Sequence, residues 1–275
     1  MPGHTVRLGD VEVISFTDVT MRFPWQVMFP NVPSAELEQY RDLYPECWSE
    51  VGFVTDAGAY AIRSSGKTIV VDTGLGPGPH AWLRNASGNL VGDMKAKGVD
   101  PADVDIVVHT HLHGDHVGWN VTDGVPTFPR ARYMTPQKDW DYFNQVLHAS
   151  PQITSQVSPI HEAGKLDFYD GESTITPEVT TIPSPGHTPG HSSILVNSGA
   201  EKLLVMGDVA HHPAQVDRPD WSPSFDVDPA TSATTRKQMV ERLIADNAIA
   251  AFCHFPGDGF GRIRESNGKR IFQAL

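Results

Sequence analysis

Four of the chain's 13 histidines fall in the eight residues from His109 to His116. Imidazole is the commonest protein metal ligand and titrates near neutral pH. In Thr110-His111-Leu112-His113-Gly114-Asp115-His116, the first two rings lie two residues apart. An extended backbone aims both to one side. Asp115 and His116 are adjacent, and a tight turn can direct them at a second point. The segment therefore offers two half-sites, and neutral imidazoles with a carboxylate suit zinc and other borderline divalent ions. His109 reads as a core residue or one that orients a ligand from behind.

Two half-sites need donors from elsewhere, and three places supply them. Ser184-Pro185-Gly186-His187-Thr188-Pro189-Gly190-His191 sets a histidine in a proline–glycine loop. Met206-Gly207-Asp208 sets a carboxylate directly after an apolar run, and Cys253-His254 closes another. Such strand ends are where open sheets collect their ligands. His191 is expected to bond its own loop. Cys253 is expected to face the core, opposite His254. His4, His80, His148 and His161 are expected at the surface.

The elements around these residues follow from periodicity. Val11–Phe16, Phe53–Val54, Ala59–Ile62, Thr68–Asp72 and Asp105–His109 read as strands. So do Thr180–Ile182, Ser193–Val196, Leu203–Met206 and, as the last buried strand, Ala248–Phe255. A helix capped by Ser34 carries Leu37, Tyr40 and Leu43 at helical spacing. A second ends at Gly98 after a break near Gly88, and a third covers 135–148. Asp228-Pro229 opens a fourth that runs to about Asp246, because Asp caps and proline suits the first helical position. With no repeat and no linker, residues 1–275 are expected to form one domain with an N-terminal loop insertion at about 20–50. Runs of strands separated by helices suggest two sheets flanked by helices.

Composition excludes several functions. There are 33 acidic and 21 basic residues, a net charge of −12, which argues against nucleic-acid or anionic-membrane partners. Two cysteines in 275 residues rule out a disulfide framework. No stretch approaches the roughly 18 apolar residues of a membrane span. The first ten residues lack a basic segment leading into an apolar one, so a cytoplasmic location is expected.

The motif His-x-His-x-Asp-His, then Pro-Gly-His-Thr-Pro-Gly-His, then Gly-Asp, then a late His, in that order, resembles the metallo-β-lactamase superfamily. The similarity runs from Asp72 to at least Gly261. It implies an αββα sandwich of the α/β (α+β) class, with two mixed sheets and a metal site at one edge. It also implies His111, His113 and His187 on one metal, Asp115, His116 and His254 on a second, and Asp208 bridging. Asp72 matches the family's strand-end aspartate, which orients a ligand loop. The cofactor is then two divalent ions, zinc first, with manganese, iron or cobalt as alternatives.

Branches of the family differ at residues visible here. True β-lactamases generally lack the bridging aspartate. The iron flavoprotein branch has Glu where this chain has His113. Nuclease branches carry a large inserted domain, and glyoxalase II carries a helical C-terminal domain that the 21 residues after His254 do not provide. The remaining likeness is to quorum-quenching lactonases and organophosphate hydrolases, strengthened by His254-Phe255-Pro256-Gly257-Asp258-Gly259-Phe260-Gly261. The expected function is dinuclear metal-dependent hydrolysis of a lactone or related ester, a small molecule, by a metal-bridging hydroxide. The alternatives are an organophosphate or aryl-ester hydrolase, or a mononuclear iron dioxygenase of the persulfide type.

Asp115 and His211 are the candidate catalytic side chains. His211 stands three residues after Asp208, where acyl-homoserine lactonases tend to carry a tyrosine. An imidazole there can still protonate a leaving alkoxide. Met21, Phe23, Trp25, Met28 and Phe29 form a proline-punctuated apolar stretch too hydrophobic for free exposure. They are expected to wall the pocket or to form a homodimer contact. Trp119, the segment Trp221-Ser222-Pro223-Ser224-Phe225 and, as a substitute for His211, His212 complete the expected pocket.

Overall fold

The computed structural model describes residues 4–266 and 268–275; Met1–Gly3, read above for a leader, lie outside them. The strands assemble into two large sheets. The first runs in the order Thr5–Leu8, Val11–Phe23, Gly52–Ser64, Lys67–Val71, Ile106–Val108, Arg132–Pro136, Leu166–Tyr169, with Trp48–Ser49 paired off Gly52–Ser64. Its pairs are antiparallel up to Lys67–Val71 and parallel beyond. The second runs Thr174–Thr176, Val179–Pro183, Ser192–Ser198, Glu201–Val205, Ile249–Ala251, Phe260–Ser266, Lys269–Ala274.

Alternation along the strands builds the layers. Successive side chains of a strand point to opposite faces. Thus Tyr60, Ile62, Ile69, Val71 and Val108 meet Ile194, Val196, Leu203, Val205 and Ile249 between the sheets. Ala59, Ala61, Val70 and Val107 pack outward, under Leu90 and Met94 of the helix Leu90–Ala96. Leu204 and Ala250 pack outward under Met239, Val240 and Leu243 of the helix Pro229–Ala245. That helix starts as expected, with the Asp228 side chain accepting from the Thr231 N–H. The result is helix, sheet, sheet, helix.

Four readings are corrected. The strand beginning at Val11 does not stop at Phe16 but continues to Phe23, where it pairs with Phe53. Its register shifts between Thr17 and Val19, and such a bulge breaks the alternation that marks a strand. Met21 and Phe23 are therefore strand residues, outside any loop insertion. Asp18, in that bulge, accepts from the N–H groups of Leu75, Gly76 and Leu90 and from Trp119 Nε1. It ties the glycine-rich turn to the metal loop. The stretch 135–148 opens on a strand end, and its helix starts at Gln137 and widens into a π turn at Tyr142–Val146. Finally, Ile249–Ala251 is followed by the hairpin Phe260–Ser266 and Lys269–Ala274. The outer strand of that hairpin is half-exposed and carries no apolar alternation.

Candidate metal centre

Each donor sits just past the carboxyl end of a strand. Lys67–Val71 delivers Asp72, and Ile106–Val108 delivers the segment from His109 to His116. Val179–Pro183 leads to His187, Glu201–Val205 to Asp208 and Ile249–Ala251 to His254. A backbone bond from Ser192 N–H to Thr110 O joins the two sheets at this edge. Gly207 adopts φ +54°, and a Cβ there would stand 2.6 Å from His191 Nε2. Glycine thus lets the chain turn sharply enough to put the Asp208 carboxylate at the centre.

Around Asp208 the donors form two groups. His113 Nδ1 lies 2.9 Å from His187 Nε2 and 3.1 Å from His111 Nε2. Asp208 Oδ2 is 3.0 Å from His187 Nε2 and 3.5 Å from His111 Nε2. On the other side, Asp208 Oδ1 is 3.1 Å from both His116 Nε2 and His254 Nε2. Asp115 is further out, with Oδ2 3.6 Å from His254 Nε2 and Oδ1 3.8 Å from His116 Nε2. One carboxylate therefore faces both groups, Oδ1 toward the second and Oδ2 toward the first, with Oδ2 also 3.2 Å from His254 Nε2.

The residues fit a pair of divalent ions. Donors of a tetrahedral ion at ~2.0–2.2 Å stand about 3.3–3.5 Å from one another, close to the separations here. His116 Nε2 is buried and, although Asp208 Oδ1 is 3.1 Å away, makes no hydrogen bond of good geometry, which a buried polar atom rarely tolerates. The electrostatics agree. Burial alone would raise the Asp208 pKa, but His116, His254 and His111 hold it well below the usual carboxylate range. Burial opposes charging His116, yet Asp208, Asp72 and Asp115 raise it well above the ordinary value. Burial holds His113 down to about 3, which keeps its ring neutral and free to ligate. The buried carboxylates demand positive charge at their centre, and divalent ions supply it.

A further ring of contacts orients the donors. Asp72 accepts from Thr110 N–H, from Thr110 Oγ1 and from His116 Nδ1 at 2.9 Å. His187 Nδ1 is 2.9 Å from Asp226 Oδ1, and His254 Nδ1 donates to Asp56 O. His191 bonds Ser184 in its own loop and accepts the Asp208 N–H at 2.9 Å. His109 does not reach either group. It bridges Thr135 and Asn120 in the core. Cys253 packs in the core between the sheets as expected, but not away from the site: its Sγ lies 3.4 Å from Asp208 Oδ1 and from Gly207 O, and it joins His116, Asp208 and His254 as a potential metal donor. The strand has ended at Ala251, so alternation no longer sets its direction.

Asp226 and Arg236 are the residues that sequence reasoning missed. Arg236 is fully buried and donates to Asp226 Oδ2, Ser232 Oγ and the carbonyls of Val209, Pro219 and Trp221. A charge on the apolar face of the helix, in line with Ser232, Met239 and Leu243, was the available signal. Partners of this kind typically carry 10- to 100-fold of metal affinity. Asp226→Asn should accordingly weaken retention of the ion at His187 by about that factor, read by chelator competition. Unchanged affinity would mean that His187 needs no such support.

A cavity of about 500 Å³ opens above the donors. Met21, Phe23, Val27, Met28, Leu75, Trp82 and Phe225 wall it, and Thr55, Asp115, Asp208 and His211 line its depth with the histidines. Five expected pocket residues lie elsewhere. Trp25, Phe29, His212 and Trp221 turn into a separate buried aromatic cluster with Phe53 and Tyr44, and Trp119 packs on the outer core while donating to Asp18. The short helix Trp25–Met28 splits the apolar stretch between two faces. Trp82 and Phe225, 60% and 44% exposed, form the rim. Phe225 lies at the end of the segment expected on the wall, whereas nothing in the sequence marks Trp82.

Paired donor groups at the strand ends of a helix–sheet–sheet–helix sandwich define a protein built to hold two metal ions beneath an apolar cavity. Residues 55–254 match the model of the Metallo-beta-lactamase superfamily, and the chain belongs to that superfamily. It is 36% identical over 135 residues to the N-acyl homoserine lactonase AttM of Azorhizobium caulinodans, covering 44% of this chain and 47% of the relative. The match spans 47% to 63% of the length of four AttM relatives. Its fold is similar to that of the hydrolase AbOPH, with a TM-score of 0.88 at 24% identity, over 99% of this chain and 97% of the other. It is also similar to AidC, a dizinc quorum-quenching lactonase, with a TM-score of 0.83 at 23% identity, over 98% and 96%. Among the described residues no helix is long and apolar enough to cross a membrane.

Proposed function

We propose that this protein is a dinuclear metal-dependent hydrolase of a lactone or related ester, with zinc as the resident metal. The observation that carries the reading is Asp208, which faces both donor groups on the floor of an apolar cavity. His111, His113 and His187 would hold one ion, and His116, His254 and Asp115 the other. Histidine-rich donors with carboxylates suit zinc, and the named likenesses to AttM and AidC support both the metal and the bond class. The buried thiols of Cys47 and Cys253 are unpaired, which fits a reducing compartment such as the cytoplasm.

A bound pair of divalent ions supplies a Lewis acid for the carbonyl oxygen and a nucleophile acidified toward neutral pH. The chain's own residues do the rest. Asp115, 25% exposed, is the most accessible of the expected donors beside the second group. The apolar walls exclude bulk water, which strengthens each polar contact inside. His211 lines the cavity, stacks on His254 at 4.9 Å and sets its Nε2 3.1 Å from Asp208 Oδ2. Its Nδ1 is buried and unpartnered. In this arrangement a proton on Nε2 is shared with the Asp208 carboxylate, and it would become available to a leaving alkoxide once a metal takes up Oδ2.

Losing a positioned proton donor typically costs 10²–10⁴-fold in rate. His211→Ala should lower turnover of alkyl lactones by about that range and leave metal content intact. A nitrophenyl ester, whose leaving group hardly needs a proton, should suffer much less. Equal losses for both would make His211 a wall residue. The reading as a whole is tested by metal analysis and a panel of lactones, aryl esters and phosphotriesters. Two metals per chain with turnover of lactones or aryl esters is the expected result. One iron per chain with oxidation of a persulfide would overturn it.

A further inference from the structure

The cavity wall narrows the substrate class, an inference that rests on the hydrolase reading above. Metal donors apart, the described residues place only three hydrogen-bonding side chains on this wall: Thr55, Trp82 and His211. Thr55 is committed, donating to His254 O at 2.7 Å. His211 Nε2 faces Asp208. Trp82 stacks on Phe23 at 6.1 Å and stands at the rim. Below the exposed rim the apolar wall includes Met21 and Met28, both buried, and half-buried Leu75, and among the described residues no Lys or Arg lines the cavity.

An N-acyl homoserine lactone carries its amide on the ring carbon next to the carbonyl under attack. That amide must sit deep, beside the reacting centre. Here its C=O would meet thioether and alkyl groups and no free side-chain donor. A buried polar group left without a partner loses its hydration and regains nothing. A carboxylate or phosphate at the same place would lack a basic side chain as well. An alkyl or aryl substituent instead meets a wall of its own polarity, and every methylene it buries favours binding.

We infer that the substrate is a neutral ester or lactone whose substituent next to the reacting carbonyl is purely alkyl or aryl, with no amide and no anionic group. Met21, Met28 and Leu75 are then the specificity-determining residues.

The test uses the metal-loaded full-length protein and two γ-lactones of equal chain length, one alkyl-substituted and one N-acyl-homoserine. The kcat/KM ratio should favour the alkyl lactone by about 10- to 100-fold, the discrimination expected from one unpaired polar group. Met21→Gln, which adds a donor to the wall, should narrow that ratio by raising turnover of the amide-bearing lactone relative to the other. Equal kcat/KM, or preference for the homoserine lactone, would overturn the inference and leave the hydrolase reading standing. If neither lactone nor any aryl ester is hydrolysed by protein holding two metals, the hydrolase reading falls and this inference falls with it.

Discussion

Asp208→Ala is expected to strip the protein of at least one of its two metals and to abolish most turnover while the fold survives. Among the described residues the carboxylate is the group common to both donor sets, with Oδ1 at 3.1 Å from His116 and His254 and Oδ2 at 3.0 Å from His187. Removing it takes a charged donor from both ions at once. The loss should exceed the roughly 10- to 100-fold in affinity or activity that follows removal of a mere supporting partner. The sandwich should persist, because the core between the sheets is built from Ile, Val and Leu side chains on strands that do not depend on this residue. Metal content by elemental analysis, turnover and circular dichroism read the three outcomes separately. A folded variant with two metals and full activity would show that Asp208 does not bridge.

Arg236→Ala should have the largest effect on stability. The guanidinium is fully buried and holds Asp226, Ser232 and three backbone carbonyls from the loop that follows Asp208. Deleting it strands those carbonyls and leaves the buried Asp226 carboxylate without its arginine, held by His187 Nδ1 at 2.9 Å. Breaking a buried pair from one side typically costs about 3–5 kcal/mol, a large part of the ~5–15 kcal/mol that holds a typical domain folded. The denaturation midpoint of the metal-free variant should fall accordingly, with an unchanged slope. Because Asp226 also orients His187, metal affinity should drop in the same variant. A midpoint equal to that of the parent would mean that the loop repacks around Asp226 at little cost.

The two predictions draw on residues of unequal visibility in the sequence. His111, His113, His116, His187, Asp208 and His254 announce themselves by type, by spacing and by position just after β-branched runs, and the structure draws them to one edge. Two sheets flanked by helices were legible from the order of strand and helix runs, but 59–62, 69–71 and 203–205 are apolar on both faces, so only packing decided which side chains face the partner sheet. Hydrophobic period and strand-end chemistry are short-range properties, written within a few consecutive residues.

What surrounds the donors was decided by packing. His187 depends on Asp226, 39 residues away, and Asp226 on a helix whose only clue was one arginine among apolar neighbours. Asp18 acts only because a bulge turns it toward three distant backbone amides and Trp119. Trp25, Phe29, His212 and Trp221 look as suited to a pocket as Met21 and Phe23, yet they form a core of their own. Of the segment Trp221–Phe225, expected on the wall, it is Phe225 that reaches the mouth, beside Trp82 from a turn that the sequence leaves unmarked. A residue's type and immediate spacing determine which chemistry it can perform. The direction of its side chain, and the company it keeps there, depend on segments far along the chain that meet only when the sheets close on each other.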